Sequence, residues 1–239
     1  MRSTSPALLG LALATSACVD VPHRHYFNAD GGTDGGSAAR SCSDARLVTG
    51  DLTFSNADGA LLLTGVPKSG SWKLAGKLTM TGRGVSSMAK LGDLCSVGDL
   101  ELANTNLEKI DTTGPIEVVG DVSVHDNDQL ADLTNIEPGA DRIGSLVIEH
   151  NSALVRFDSF GSLRYVTNAT AIRYNAALSS IDLHDVQRLE GGLDVSYDAA
   201  LASLQLTSLQ SVGDLTLSHD TKLATAELGA LQYVHGSLT

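Results

Sequence analysis

The sequence predicts an all-β solenoid of about eight stacked coils, each 22–24 residues long. A Gly-x-apolar-x-apolar pattern recurs at near-constant spacing, hydrophobic residues make up 42% of the chain, and aromatic residues make up only 4%. A single copy of this length cannot bury its own apolar face, whereas stacked copies can. An aliphatic core suits such flat layers. The copies begin at Gly50, Gly76, Gly98, Gly120, Gly144, Asn168, Gly191, Gly213 and Gly236.

Each copy carries the same columns of residues. Apolar residues two and four places after the glycine, such as Leu146 and Ile148, predict a strand with one buried face. Further apolar columns follow at ten and thirteen places, where Leu154 and Phe157 stand. The Asn/Asp-rich column at seven places, which includes Asn151, is expected at the corner after the strand, where the turning backbone needs side-chain hydrogen bonds. A period near 23 residues leaves little room for a helix, so each coil is predicted to be mostly strand and turn.

The first 17 residues have the layout of a secretory signal peptide. Arg2 is followed by the apolar run from Ala7 to Ala14 and then by small residues before Cys18. The run is shorter than the roughly 20 residues that span a bilayer. The ending Thr-Ser-Ala-Cys resembles a bacterial lipobox, which implies that Cys18 is lipidated, although Thr15 stands where that motif usually has leucine. The alternative is ordinary cleavage after Ala17.

Residues 18–40 are expected to form a disordered tether behind the lipidated cysteine. The stretch from Asn28 to Ser37 is rich in Gly and Asp and has no apolar period. His23 and His25 could suggest a metal site, but no cluster of other ligand-type residues lies nearby, so we interpret them as solvated linker histidines. No metal or other cofactor is predicted for the chain.

The two remaining cysteines, Cys42 and Cys95, are predicted to pair in the solenoid domain, residues 41–239. Export places the chain in a compartment where disulfides persist. The bond would close a loop of roughly 50 residues, which corresponds to about 4 kcal/mol in the chain-entropy model. The alternative is two buried free thiols.

The charge of the chain argues against nucleic acid as a partner, and the repeat columns contain two candidate functional surfaces. The formal net charge of −12 opposes binding to nucleic acid. Asp99, Glu101 and Asp121 could meet on one face, as in carbohydrate-active β-helix enzymes, or could bind Ca²⁺ weakly, but a solvated acidic face is the simpler interpretation. No catalytic residue is predicted. The second surface is a stripe six places after the glycine, formed by His150, Tyr174, Tyr197 and His219.

The stripe has two interpretations that the sequence leaves open. If the rings face outward, they form a contact surface for a protein or a sugar; if they face inward or lie along the corner, they are packing. His125 and His184 have no counterparts in neighbouring coils, so they are expected to be surface histidines.

Segments such as Arg142–Leu154 (RIGSLVIEHNSAL) and Ser211–Leu223 (SVGDLTLSHDTKL) resemble the receptor L-domain family. The resemblance covers residues 47–239 and implies a leucine-rich, right-handed β-helix. In receptors of that family the solenoid faces bind protein ligands. No ligand-contact motif of the family is identifiable in this chain, and the cysteine-rich modules that flank receptor L-domains are not found in it.

The last copy stops inside its strand at Thr239, so the last coil is predicted to be incomplete. Either the gene product continues, or this edge stacks on a partner, and we expect it to be a site of self-association. Together these features predict a non-enzymatic, exported lipoprotein of the cell envelope, in the outer membrane or at the cell surface, that binds or adheres through a solenoid face. The alternatives are a carbohydrate-active β-helix enzyme and a purely structural envelope protein.

Overall fold

A computed structural model describes residues 42–55, 66–158 and 160–239. The predicted signal peptide, Cys18, the tether, His23 and His25 lie outside the described residues. Those that are described belong to one compact unit, residues 39–239.

The described chain forms an all-β solenoid, which confirms the predicted fold class. Successive coils place equivalent strands side by side in parallel, in three sheets. The strands that follow the repeat glycines make up most of the largest sheet, which has eleven strands. Its strands are Arg46–Val48, Leu52–Phe54, Trp72–Thr81, Leu94–Ala103, Ile116–Val118, Val122–His125, Ile136–Pro138, Leu146–Glu149, Thr170–Arg173, Leu193–Ser196 and Leu215–Ser218.

Two smaller sheets complete the wall of the solenoid. The column thirteen places after the glycine lies in a four-stranded sheet, and a pair of residues just before each glycine forms a five-stranded sheet. The first contains Arg156–Asp158, Ser180–Asp182, Ser203–Gln205 and Thr225–Glu227. The second contains Arg142–Ile143, Tyr165–Val166, Arg188–Leu189, Ser211–Val212 and Tyr233–Val234. Among the described residues the only helical turn is a 3₁₀ turn at Ala89–Leu91.

The register between coils aligns the columns that the repeat defines. Val122 pairs with Leu146, and Leu146 pairs with Thr170, so equivalent positions stack directly. The glycine at the start of a copy fits a close approach between coils: a Cβ on Gly98 would lie 2.5 Å from the carbonyl oxygen of Ala75. The columns at two, four, ten and thirteen places fill the interior with mostly aliphatic side chains.

The core extends from Phe54 to Leu215 as one hydrophobic cluster. Trp72 is fully buried at its N-terminal end and donates a hydrogen bond from its indole nitrogen to the carbonyl of Leu91 at 2.8 Å. Cys42 and Cys95 are disulfide-bonded, with a Cα–Cα distance of 5.9 Å. Leu238, which pairs with Leu215 through one bridge, is 71% exposed. Self-association through this edge stays a prediction.

One core position carries a polar atom without a partner. Thr170 occupies a place that leucine or valine fills in the neighbouring coils, and its buried hydroxyl has no hydrogen-bond partner. Replacing Thr170 with valine keeps the shape and removes the unsatisfied group, so we expect about 1 kcal/mol of added stability in urea unfolding. Thr216→Val, on the outward side of the equivalent strand two coils further on, is the matched control and should change little. An unchanged or lower stability of Thr170→Val would contradict the assignment.

Candidate functional site

Seven strands of the large sheet are each followed by a residue with a left-handed backbone. The backbone angle φ lies between +52° and +61° at every member of this column that is not glycine. Asn, Asp and His accept this conformation readily, whereas a bulky side chain there is uncommon. Tyr174 and Tyr197 are therefore the unusual members. The column consists of Gly82, Asn104, Asp126, His150, Tyr174, Tyr197 and His219.

His150, Tyr174, Tyr197 and His219 form a continuous stack of rings, which we call the aromatic stripe. The ring centroids of successive members are 4.7, 4.7 and 4.2 Å apart, and neighbouring planes lie within 10° of parallel. Both tyrosines are 43% exposed, and both histidines are exposed. The rings are therefore exposed and lie along the corner, and their use as a contact surface stays a prediction.

The stacking determines which parts of the rings a ligand can reach. Each tyrosine has a neighbouring ring on both faces, so the stripe presents ring edges along most of its length. Those edges carry phenol hydroxyls and imidazole nitrogens, which can both donate and accept hydrogen bonds. Ring edges also carry the positive end of the aromatic quadrupole. A partner along the stripe would therefore meet a row of polar edges repeated at the spacing of the coils.

A buried column directly behind the stripe holds the coils in place. We call Asn127, Asn151, Asn175, Asp198 and Asp220 the asparagine ladder. Asn127, Asn151, Asn175 and Asp198 are fully buried.

Each ladder side chain accepts the backbone N–H of the equivalent residue in the preceding coil. The distances are 3.3 Å from the Asn127 N–H to Asn151 and 3.0 Å from the Asn151 N–H to Asn175. Each asparagine amide also donates to a strand carbonyl, as from Asn151 to Val124 at 2.9 Å. This ladder ties the corner of one coil to the next, and so it fixes the spacing of the rings.

A second set of aspartates joins the coils at the start of the strand. Asp99 accepts the backbone N–H of Asp121 at 2.8 Å, and Asp121 accepts that of Ser145 at 2.6 Å. Glu101 lies beside Lys77 at 2.9 Å, and the hydrogen bond from Lys77 lowers the pKa of Glu101. A lowered pKa is the opposite of what a glycosidase general acid needs. The three acidic residues thus have structural contacts.

The outward face of the large sheet also carries a charge network that the sequence analysis missed. Arg173 contacts Glu149 in the preceding coil and lies 3.2 Å from Asp194 in the following one. The hydrogen bond to Glu149 raises the pKa of Arg173. Only the register, which aligns Arg173 with Glu149, brings these charges together.

The two unmatched histidines contact carboxylates. His125 lies 2.8 Å from Asp126, and His184 lies 2.7 Å from Asp182, which raises the pKa of His184 through a hydrogen bond. Within residues 42–55, 66–158 and 160–239, no group of three or more His, Cys, Asp or Glu side chains is placed to hold a metal ion. In the same ranges, no helix is both long and apolar enough to cross a bilayer.

We compared the chain with known protein families, curated proteins and solved structures. No protein-family model, no curated protein and no solved structure shows a significant match to the chain.

Proposed function

We propose that this protein is a non-enzymatic binding protein whose contact surface is the aromatic stripe. The observation that carries the proposal is the placement of Tyr174 and Tyr197. Both hold an uncommon left-handed backbone, and both expose close to half of their surface at a rigid corner. Bulky residues in such conformations cost free energy and cluster at functional sites. Exposed tyrosines on a rigid scaffold are also the side chains that binding surfaces favour.

The scaffold supports this use of the stripe. The rings are attached to strand ends that pair in strict register, and the asparagine ladder fixes the residues that follow them. Their positions are therefore set before a ligand arrives, which lowers the entropy lost on binding. The resemblance of the repeat to receptor L-domains points to the same use of a solenoid face.

The proposed location is the bacterial cell envelope, with Cys18 as the lipid anchor and the tether holding the solenoid away from the membrane. The signal-like sequence before Cys18 supports export. The disulfide between Cys42 and Cys95 agrees with it, because such bonds persist outside the cytoplasm. The partner is then a protein or glycan outside the cytoplasm.

The test is a screen of the full chain against arrayed glycans, envelope polymers and purified extracellular proteins. The double variant Tyr174→Asn/Tyr197→Asn removes two rings and keeps the left-handed backbone, because Asn104 already occupies that conformation. We expect its affinity for a bound component to fall by at least about tenfold, since aromatic anchors commonly contribute more than about 1 kcal/mol each.

The matched control is Tyr233→Asn, which removes an exposed tyrosine away from the stripe. It should bind like the wild type. If no component binds, or if the double variant binds as tightly as the wild type, the stripe is packing and the proposal fails.

A further inference from the structure

The aromatic stripe ends abruptly at His150. The preceding coil places Asp126 in the same column, and the two coils before that place Asn104 and Gly82 there. Tyr174 stacks on one face of the His150 ring, and no other ring among the described residues stacks on the opposite face. Its other face looks along the column over the smaller side chain of Asp126. We call the change from the His150 ring to the smaller Asp126 side chain the step. At the step, a ligand can reach a ring face, whereas elsewhere along the stripe it reaches ring edges.

A shallow cavity of about 520 Å³ lies at this step. His150 and Asp126 line it, together with Asn104, Arg83, Asp128 and Ser152. Arg83 and Asp128 form an ion pair at 3.0 Å that bounds one side. The volume falls within the range of small-molecule sites, about 300–1,000 Å³. The cavity exists because three successive coils lack a ring where the next four have one.

We infer that this cavity binds one ring of a neutral glycan, stacked on the free face of His150. The inference rests on the proposed function and names its ligand class. The apolar C–H face of a pyranose suits the negative face of an aromatic ring. A ring in this place would extend the stack by one step and would lie above Asp126. Its hydroxyls would then meet the carboxylates of Asp126 and Asp128 and the amide of Asn104.

The charges at the step select among ligands. Asp126 and Asp128 accept hydrogen bonds from hydroxyl groups, and the single cation among the described lining residues, Arg83, is already paired with Asp128. Together with the net charge of −12, they repel uronic acids and sulfated sugars. An aromatic side chain from a protein partner could stack on His150. It would leave the polar groups of Asp126 and Asn104 against an apolar edge, which costs hydrogen bonds with water.

The experiment measures binding of the full chain to neutral hexasaccharides of glucose, galactose and mannose, with polyuronate oligosaccharides of the same length beside them. The variant His150→Asn removes the ring face in a conformation that asparagine accepts. Its matched control is His235→Asn, the same change at an exposed histidine that lies outside the stripe. Circular dichroism confirms that both variants are folded.

We expect at least one neutral hexasaccharide to bind and the polyuronates not to bind. His150→Asn should weaken binding about tenfold, the scale of one lost stacking contact, while His235→Asn leaves it unchanged. The inference is overturned if no hexasaccharide binds, if polyuronates bind equally well, or if both variants are equally impaired. When a partner nevertheless binds through Tyr174 and Tyr197, the proposed function stands and only the glycan site falls. When nothing depends on the stripe, both fall.

Discussion

Replacing Asn151 with alanine should lower the free energy of unfolding by about 4 kcal/mol: about 2 kcal/mol for the buried N–H of Asn127 that loses its acceptor, and about 1 kcal/mol for each of the two hydrogen bonds that the Asn151 amide donates. The side chain oxygen of Asn151 accepts the N–H of Asn127 at 3.3 Å, and its amide donates to the carbonyl of Val124 at 2.9 Å. Asn151 is fully buried, so water cannot replace either contact. The amide also bonds Asn175 at 3.2 Å, so the loss interrupts the asparagine ladder in its middle.

The measurement is urea unfolding at neutral pH, followed by circular dichroism. Asn168→Ala is the matched control, because Asn168 is exposed in the neighbouring coil and the change should stay within about 0.5 kcal/mol. Asn151→Asp keeps the acceptor and loses the donor, so it should fall between the wild type and Asn151→Ala. If Asn151→Ala is as stable as the Asn168 variant, the ladder does not hold the coils together.

The repeat made the architecture predictable because each column appears several times in the sequence. Val122 and Val124 alternate with polar residues, and the recurrence of the same apolar columns in the neighbouring copies leaves one arrangement that buries them all. Asn151 was expected at a corner for the same reason, since its column holds short polar side chains that satisfy turning backbone. A single copy would have predicted a strand and nothing more.

The site was predictable only in part. The column of the aromatic stripe follows from spacing alone, but its exposure depends on the backbone angle at the strand end. Tyrosine gives no signal of a left-handed backbone. Asn104 and Asp126 in the same column do, because they belong to the types that accept positive φ. The cavity beside His150 also had a sequence signal, which is the change from rings to small side chains along one column.

Contacts between coils were not predictable from the pattern of apolar residues. Arg173 and Glu149 stand 24 residues apart, and Asp99 and Asp121 stand 22 apart. Their contacts require the exact register of the strands together with the direction of each side chain. The repeat period predicts the strand register to within a residue, but it does not predict the side-chain rotamers.

The asparagine ladder has an aspartate, Asp198, where the preceding coils have asparagine, and this carboxyl group predicts how the stability of the protein depends on pH. Asp198 accepts the N–H of Asn175 at 2.6 Å, but its second carboxyl oxygen is buried without a partner. In the preceding coil the amide of Asn175 donates to the carbonyl of Ile148 at 3.0 Å. By the register, the carbonyl of Ile172 is the equivalent acceptor for residue 198. A carboxylate cannot donate to it, whereas a protonated carboxyl or an amide can.

Asp198→Asn should therefore raise the free energy of unfolding by about 3 kcal/mol at pH 8 and by much less at pH 4. Burial raises the pKa of Asp198 to about 7, so the folded protein holds a proton there that the unfolded chain releases near pH 4. The stability that this proton supplies is complete below the unfolded pKa and is lost as the pH rises through about 7. The variant lacks this loss, so the difference in unfolding free energy between the two proteins should grow between pH 4 and pH 8.

Urea unfolding at four pH values measures this difference, with Asp158→Asn, an exposed aspartate, as the control that should give a constant difference. A difference for Asp198→Asn that does not change with pH would show that Asp198 is ionised at every pH tested, and the ladder would then contain a buried charge in place of a shared proton.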